Sequence, residues 1–302
     1  MQTYPFEEYR SLLFAMAYRM LGSAMEAEDI VQEAYLRYRA TPPESIRRPK
    51  SFLMTVVHHL CLDHLKSAKV RREVYVGPWL PAPVITGDGA SPPSPLRQIT
   101  DRESISMAFL VLLESLSPLE RAVFLLREVF DYEYAEIAQI TGRKEAACRQ
   151  LVSRAKKHIR DHRPRFSASP EAHAKMVDRF MEAFVAGDMD SLMSLLAEDV
   201  TAWSDGGGKV PGAARQPIQG RDKVGRAIMA LLGHVPEGTT VEVIEVNGLP
   251  ALLMRVREQI IGVTTLEVGG GYIRAIRNVA NPDKLAHLKL PSTPEKQWRL
   301  GS

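Results

Sequence analysis

The strongest chemical signal in this 302-residue chain is a cluster of positive charge near its middle. From Arg143 to Arg165, nine lysine and arginine residues stand against two acids, Glu145 and Asp161. Such side chains donate hydrogen bonds to phosphate oxygens and base edges, so a helix that carries them suits a nucleic-acid duplex. We expect Lys144, Glu145, Arg149 and Gln150 to reach base edges, and Ser153, Arg154 and Lys157 to touch phosphates. The alternative is a solvated basic helix in an ordinary bundle.

A helix-turn-helix is predicted to position this basic helix. The run from Ser117 to Glu120 combines a serine N-cap, a proline at the first helical position and a glutamate at the third, which is a capping box. Apolar spacing then predicts a helix that continues to Phe130, a short helix over 134–140 and a third helix over 144–159. Gly142 is expected to end the short helix. This combination favours DNA binding over the solvated-bundle alternative.

Asp205 is a second candidate for chemistry, because it lies beside Trp203 and an aspartate activated by burial can act as a general base. It opens the run Asp205-Gly-Gly-Gly-Lys209, which predicts a flexible turn. A turn holds a base poorly but allows close backbone contact with a neighbouring domain or a ligand. Interdomain contact is the favoured interpretation, and ligand sensing and catalysis stay open.

Metal, cofactor and membrane functions have no sequence support. Cys61 and Cys148 are the two cysteines, and both fall on predicted apolar helical faces, so we expect reduced, buried thiols. His234, His287 and Glu258 lack the spacing of metal ligands. No apolar run approaches the length of a membrane span and no signal peptide is recognisable, so we expect a cytoplasmic protein.

Composition divides the chain into three folded segments and a linker. Apolar residues make up 45% and charged residues 25%, as in globular proteins. We expect an all-helical domain over 1–72, a proline-rich interdomain linker over 73–99 and the helix-turn-helix domain over 100–165. Helices followed by strand-like runs, joined by Asn247-Gly248 and Gly269-Gly-Gly271 turns, predict an α+β domain over 170–302. Tyr75 and Trp79 predict a linker that docks into a groove, since plain tethers are polar.

The net charge of the first segment changes from negative to positive along its length. Residues 1–46 contain seven acids and four arginines, whereas residues 47–72 contain seven lysines and arginines and one acid, Asp63. This change predicts an acidic protein-binding surface followed by a basic nucleic-acid surface.

The first 165 residues resemble an extracytoplasmic-function (ECF) sigma factor. The run Ala27–Tyr35 resembles the family helix that docks on RNA polymerase core, which implies polymerase contacts for Asp29, Gln32 and Glu33. The run Pro49–Lys66 resembles the promoter-opening helix, and the helix-turn-helix resembles the domain that binds the −35 element. For −10 DNA the resemblance and the charge pattern together select His59, Asp63, Lys66, Arg71 and Arg72.

This chain departs from the family pattern at three positions. His59 stands where asparagine is usual, Lys66 where arginine is usual, and Leu151 where many members have a basic residue. The last difference affects base preference at one −35 position.

Three further motifs resemble those of ECF sigma factors with a fused C-terminal SnoaL-like domain, an α+β cone of the ketosteroid-isomerase type. They are Tyr75-Val-Gly-Pro-Trp-Leu-Pro-Ala-Pro83, Asp205-Gly-Gly-Gly-Lys209 and Asn281-Pro-Asp-Lys-Leu285. The resemblance implies regulation in cis. The candidate regulatory residues are Tyr75, Trp79, Asp205, Gly206, Gly207, Gly208, Lys209, Asn281, Pro282, Asp283, Lys284 and Leu285.

The predicted fold is therefore multidomain, with two all-α sigma domains followed by an α+β SnoaL-like domain. The implied partners are RNA polymerase core and promoter DNA, with no cofactor, no enzyme activity and no membrane; an unidentified small ligand of the third domain stays open.

Two other functions also stay open. A helix-turn-helix regulator with an effector domain predicts self-sufficient binding to a palindromic site, and a cyclase-like enzyme predicts an apolar pocket and turnover of a carbonyl substrate.

Overall fold

A computed structural model describes residues 6–73, 75–86, 105–162, 168–289 and 296–300, with the backbone alone for 68–73. The chain forms two compact units. The helical unit comprises Met1–Val74 and Pro95–Arg163, and the sheet unit comprises Tyr75–Ser94 and Pro164–Ser302. The segment that begins at Tyr75 is therefore part of the sheet unit.

Three helices form the first part of the helical unit: α1 (Phe6–Leu21), α2 (Ala24–Ala40) and α3 (Pro49–Glu73). The Ser23 hydroxyl caps α2 by accepting a hydrogen bond from the Glu26 N–H. Apolar side chains of all three helices, among them Leu13, Val31 and Leu53, are buried against one another. The predicted helices are confirmed, and α3 continues further than predicted.

Four helices form the second part: α4 (Met107–Glu114), α5 (Pro118–Phe124), α6 (Tyr134–Thr141) and α7 (Glu145–His162). The predicted capping box of Ser117 and Glu120 begins α5, and Gly142, with a φ of 64°, ends α6. The predicted helix is confirmed as far as Val129, but its last turn is not α-helical. A π-type turn at Leu125–Val129 follows α5, because the Phe130 N–H donates to the Leu125 carbonyl and widens the last turn.

In the sheet unit, α8 (Pro170–Ala186) and α10 (Arg221–Leu232) pack on one sheet, and α9 (Met189–Leu195) packs against both of these helices. The described strands are β1 (Leu196–Asp205), β2 (Ile218–Gln219), β3 (Thr239–Val246), β4 (Leu249–Val256), β5 (Gln259–Gly269), β6 (Tyr272–Val279) and β7 (Lys296–Arg299). Their order is β2-β1-β6-β5-β4-β3-β7, and only β1 and β6 run parallel. The predicted fold class is confirmed.

Tight hairpins connect the strands from β3 to β6. Asn247 and Gly248 have φ values of 51° and 76° between the paired Val246 and Leu249, as the Asn-Gly signal predicts. Gly270 and Gly271 join β5 to β6 in the same way. After β6 comes α11 (Pro282–Leu285), which is shorter than the helix predicted from Asp283 to Leu290; its backbone ends in a turn at Ala286, and Leu290 lies outside the described residues.

The core of the sheet unit lies between the sheet and its helices, where Leu192 is completely buried among aliphatic and aromatic side chains. We expect Leu192→Ala to lower the free energy of unfolding of this unit by about 2–5 kcal/mol, since it removes buried methyl groups and leaves a cavity. All three tryptophans, Trp79, Trp203 and Trp298, belong to the sheet unit, so their fluorescence during urea unfolding measures its stability. Val185→Ala, at a position 39% exposed, is the control. Equal losses in the two variants would contradict this packing.

Candidate functional site

Asp205 lies at the end of β1 and is completely buried. Its Oδ1 accepts a hydrogen bond from the Tyr75 hydroxyl at 2.5 Å, and its Oδ2 accepts hydrogen bonds from the Leu80 N–H at 2.8 Å and the Lys284 ammonium at 2.7 Å. The prediction that Asp205 belongs to a flexible turn is wrong, because a strand and three donors hold its carboxylate. Because these hydrogen bonds are all made within the chain, the Asp205 carboxylate holds Tyr75, Leu80 and Lys284 together.

Lys284, on α11, joins Asp205 to the aromatic side chains of residues 75–86. Its ammonium lies 3.8 Å from the centroid of the Trp79 ring and 5.2 Å from that of the Tyr75 ring. It also donates a hydrogen bond to the Leu80 carbonyl. This arrangement combines an ion pair with cation–π contacts in a site largely shielded from water.

Asn281 completes this group, because its side-chain amide donates to the Tyr75 hydroxyl at 2.8 Å. Burial, followed by the hydrogen bond to Asp205, raises the pKa of Tyr75 above its usual value, so the phenol stays neutral. We call this group the linker clasp; its members are Tyr75, Trp79, Leu80, Asp205, Asn281 and Lys284. The clasp brings together the three predicted regulatory motifs.

The glycines after Asp205 allow the chain to pass close to the clasp. A Cβ atom on Gly207, where φ is 58°, would lie 2.3 Å from the Asn281 Nδ2 atom. A Cβ on Gly206 would lie 2.6 Å from that of Ala213, and one on Gly208 would lie 3.0 Å from that of Val76. Close packing therefore explains the three glycines.

The ends of the regulatory motifs differ in burial. Lys209 and Asp283 form an exposed ion pair at 2.5 Å, which contributes little to stability. Pro282 occupies the first turn of α11, and Leu285 is buried beneath it.

Beyond the clasp, residues 83–86 follow the sheet. The Asn247 side chain accepts a hydrogen bond from the Val84 N–H at 3.1 Å, and the Asn247 N–H donates to the Val84 carbonyl at 2.9 Å. Thr86 bonds Glu245 through both backbone and side chain. His287 bonds the Pro83 carbonyl through Nε2 at 2.8 Å. The sequence predicted Asn247 only as a turn residue and gave no signal for Thr86 or His287, since their partners are distant in the chain.

The candidate DNA-binding residues lie on the exposed side of α7. Its apolar stripe, Leu151 included, is buried. The predicted contacts are all exposed: Lys144, which directly precedes α7, and Arg149, Gln150, Ser153, Arg154 and Lys157 on α7. In the free protein Arg149 pairs with Glu145 at 2.7 Å and Arg154 pairs with Glu120 at 3.2 Å.

The candidate polymerase contacts lie on α2. Asp29 and Gln32 are exposed, and Glu33 is half-buried and pairs with Arg37 at 2.9 Å. Two exposed apolar side chains, Met25 and Leu36, flank them. The face therefore combines acidic and apolar groups.

The candidate −10 contacts lie on α3. His59 is exposed, as are Asp63 and Lys66, which pair at 2.8 Å; the pair lowers the pKa of Asp63. The buried neutral histidine of this helix is its neighbour, His58, whose pKa is lowered to about 4, mainly by burial. The side chains of Arg71 and Arg72 lie outside the described residues.

Other candidate chemistry is sparse in the part of the chain that the structure describes. No cluster of three or more histidine, cysteine, aspartate or glutamate side chains could hold a metal ion there. None of the described helices has both the length and the apolar character needed to cross a bilayer.

A small open pocket of about 210 Å³ lies beside the clasp, lined mainly by the turn from Gly206 to Arg215. Ligand pockets usually occupy about 300–1,000 Å³.

The two parts of the helical unit correspond to known families. Residues 5–71 match sigma-70 region 2, and residues 106–159 match sigma-70 region 4. The order of the two regions, with the exposed acidic face in the first and the basic helix in the second, defines a sigma factor.

Relatives extend the similarity to the whole chain. The ECF RNA polymerase sigma factor SigJ of Mycobacterium tuberculosis is 40% identical, over 94% of this chain and 93% of SigJ. The probable ECF RNA polymerase sigma factor SigI of that species is 34% identical, over 93% of each chain. The crystal structure of SigJ matches with a TM-score of 0.73 and 37% identity, over 93% of this chain and 97% of that chain. The protein belongs to the ECF sigma factor family.

Acid should weaken the sheet unit through His287. Burial lowers the pKa of His287, so its contribution to stability is complete above its usual pKa of about 6.5 and is lost as the pH falls through the lowered pKa. We expect His287→Gln, which can still donate to the Pro83 carbonyl, to reduce the loss of stability between about pH 7 and 5 by up to about 1.4 kcal/mol per pH unit. Tryptophan fluorescence during urea unfolding measures the loss.

The exposed His234 provides the matched control, His234→Gln, which makes the same exchange of side chain without touching the contact between His287 and Pro83. The pKa of His173 is also lowered by burial, but His173 is present in all three proteins. Its effect on stability is therefore the same in each and cancels when their pH slopes are compared. The same slope in His287→Gln and in the unmodified chain would show that His287 does not carry the effect.

Proposed function

We propose that the sheet unit controls this sigma factor in cis, by keeping the linker clasp closed and limiting how far regions 2 and 4 can separate. The observation that carries the proposal is the buried Asp205 carboxylate, whose partners come from residues 75–80 and from α11. The protein acts with RNA polymerase core on promoter DNA, in the cytoplasm.

Regions 2 and 4 pack together in the helical unit. The Arg121 guanidinium, on α5, donates to the carbonyl of Met20, on α1, and the Arg19 guanidinium lies 5.6 Å from the centroid of the Phe130 ring. The −10 and −35 elements lie roughly 25 base pairs apart, or about 85 Å along the duplex. Regions that lie side by side do not reach both elements, so they must separate on the promoter.

The clasp sets how much chain is available for that separation. An extended chain covers about 3.4 Å per residue, so residues 74–104 could span about 100 Å. A closed clasp holds residues 75–80 against the sheet unit and fixes the distance that they span, while Val84 and Thr86 are held by separate hydrogen bonds to Asn247 and Glu245. Opening the clasp therefore favours the promoter-bound state.

We assign the nucleic-acid contacts to the exposed residues of α7 and α3. Lys144, Arg149 and Gln150 lie near the start of α7 and read base edges, while Ser153, Arg154 and Lys157 contact phosphates. On α3, we assign the −10 contacts to His59, Asp63 and Lys66, and the charge pattern of the sequence adds Arg71 and Arg72. The polymerase contacts are Asp29, Gln32 and Glu33, whose acidic character suits a basic partner surface.

We propose no catalytic role for the SnoaL-like domain. This is supported by Asp205, which bonds only residues of its own chain in the described part and is therefore poorly placed as a base. A small ligand enters the proposal only as a molecule that binds beside the clasp and opens it.

Opening the clasp should raise transcription. Asp205→Asn removes the charge that pairs with Lys284 at nearly constant shape, and losing one partner of a buried pair typically costs about 3–5 kcal/mol. We expect more run-off transcript from Asp205→Asn with purified core polymerase and a randomised promoter library. Asp283→Asn, which removes an exposed ion pair, is the matched control and should behave like the unmodified chain.

A chain that ends at Arg165 is a second test of control by the clasp, because it lacks most of the sheet unit. We expect it also to give more transcript than the full chain. Equal transcription from Asp205→Asn and the unmodified chain would overturn control by the clasp. No transcript from any of these proteins, together with tight DNA binding without polymerase, would favour the helix-turn-helix regulator.

Two α7 variants should differ in how they affect promoters. Arg149→Ala should cost about 1–3 kcal/mol at one −35 position, because a bidentate contact to a base is lost. Lys157→Ala should weaken all promoters similarly and flatten the salt dependence, since a phosphate contact carries no sequence information. Transcription from a promoter library at several salt concentrations measures both effects. The reverse pattern would refute the two assignments.

A further inference from the structure

We infer that Tyr134 is a positioning residue for promoter recognition, whose ring holds the Arg149 guanidinium ready on the DNA-binding side of α7. The inference rests on the proposed −35 role of Arg149. It adds a residue of α6, which none of the sequence motifs identified.

The geometry places two arginines against one ring. The Arg149 Cζ atom lies 4.5 Å from the centroid of the Tyr134 ring, and the Arg127 Cζ atom lies 5.1 Å from it. Both distances are within the range of a cation–π contact, about 6 Å. Tyr134 is half-buried as the first residue of α6, so its ring is held by the fold of the helix-turn-helix.

Arg127 is fixed by the loop that precedes α6. Its guanidinium donates to the Tyr132 carbonyl at 2.9 Å and to the Glu133 carboxylate at 3.2 Å. It comes from the π-type turn at Leu125–Val129, and the chain then reverses at Asp131, where φ is 54°. The side chain of Arg127 is 27% exposed, whereas that of Arg149 is 55% exposed. Arg127 therefore supports the ring, and Arg149 faces solvent.

Arg149 is restrained by two groups that differ in chemistry. Its guanidinium pairs with the Glu145 carboxylate at 2.7 Å, and this anion occupies N–H groups that a guanine base would need. The Tyr134 ring contacts the guanidinium through its π face and accepts none of those in-plane N–H bonds. Arg149 can exchange Glu145 for a base while it stays against Tyr134, so less side-chain freedom is lost on binding.

Substitutions of Tyr134 separate the ring from the hydroxyl. We expect Tyr134→Leu to reduce discrimination at the base pair read by Arg149 by about two- to five-fold, the size of an exposed cation–π contact. Tyr134→Phe keeps the ring and should keep the discrimination. In an Arg149→Ala background, Tyr134→Leu should cause no further loss of discrimination. Tyr272→Leu, at an exposed tyrosine of the sheet unit, is the control.

The measurement is initiation by the full chain with core polymerase on promoters that carry each base at each −35 position, at two salt concentrations. A uniform loss on all promoters, an equal loss in Tyr134→Phe, or a further loss of discrimination in the Arg149→Ala background would overturn the inference. The inference would also be overturned if Arg149→Ala and the unmodified chain showed the same base preference in promoter-dependent transcription. That outcome would leave the sigma function intact. No promoter-dependent transcript from the unmodified chain would overturn both.

Discussion

One buried carboxylate, that of Asp205, holds the start of the linker against the sheet unit. Taking an aspartate out of water costs several kcal/mol unless donors replace the solvent, and here they come from a phenol, a backbone amide and an ammonium. Each donor is needed, because the loss of any one leaves Asp205 underbonded in a dry site. We therefore expect the clasp to open cooperatively, with residues 75–80 released together.

This cooperativity matters because the clasp begins two residues after α3 ends at Glu73. Region 2 is thus joined to the first residues of the sheet unit by almost no intervening chain. In the proposed control, a change at Asp205 acts on the chain between regions 2 and 4 through connectivity alone. Such control needs no specific docking surface between the sheet unit and either sigma region, only an equilibrium between closed and open clasp.

Local signals in the sequence predicted the local structure well. The Ser117–Glu120 capping box, Gly142 and the Asn247-Gly248 turn depend on neighbours within a few residues, and each lies where it was expected. Arg257, which has a φ of 55° between β4 and β5, was not recognised because arginine seldom adopts that conformation. Asp205 was misjudged for a different reason. Its three glycines are a turn signal, but its burial depends on Tyr75 and Lys284, which are distant in sequence.

The DNA-binding side of α7 is partly neutralised by the protein's own acids. Arg149 pairs with Glu145, Arg154 with Glu120 and Lys156 with Glu128. Exposed pairs of this kind contribute about 0–1 kcal/mol each, so phosphates or bases can replace them at little cost. While they persist, however, fewer cations are available to release counterions from a random duplex. We therefore expect these pairs to weaken binding to DNA in isolation, so that promoter binding depends on contacts that polymerase adds.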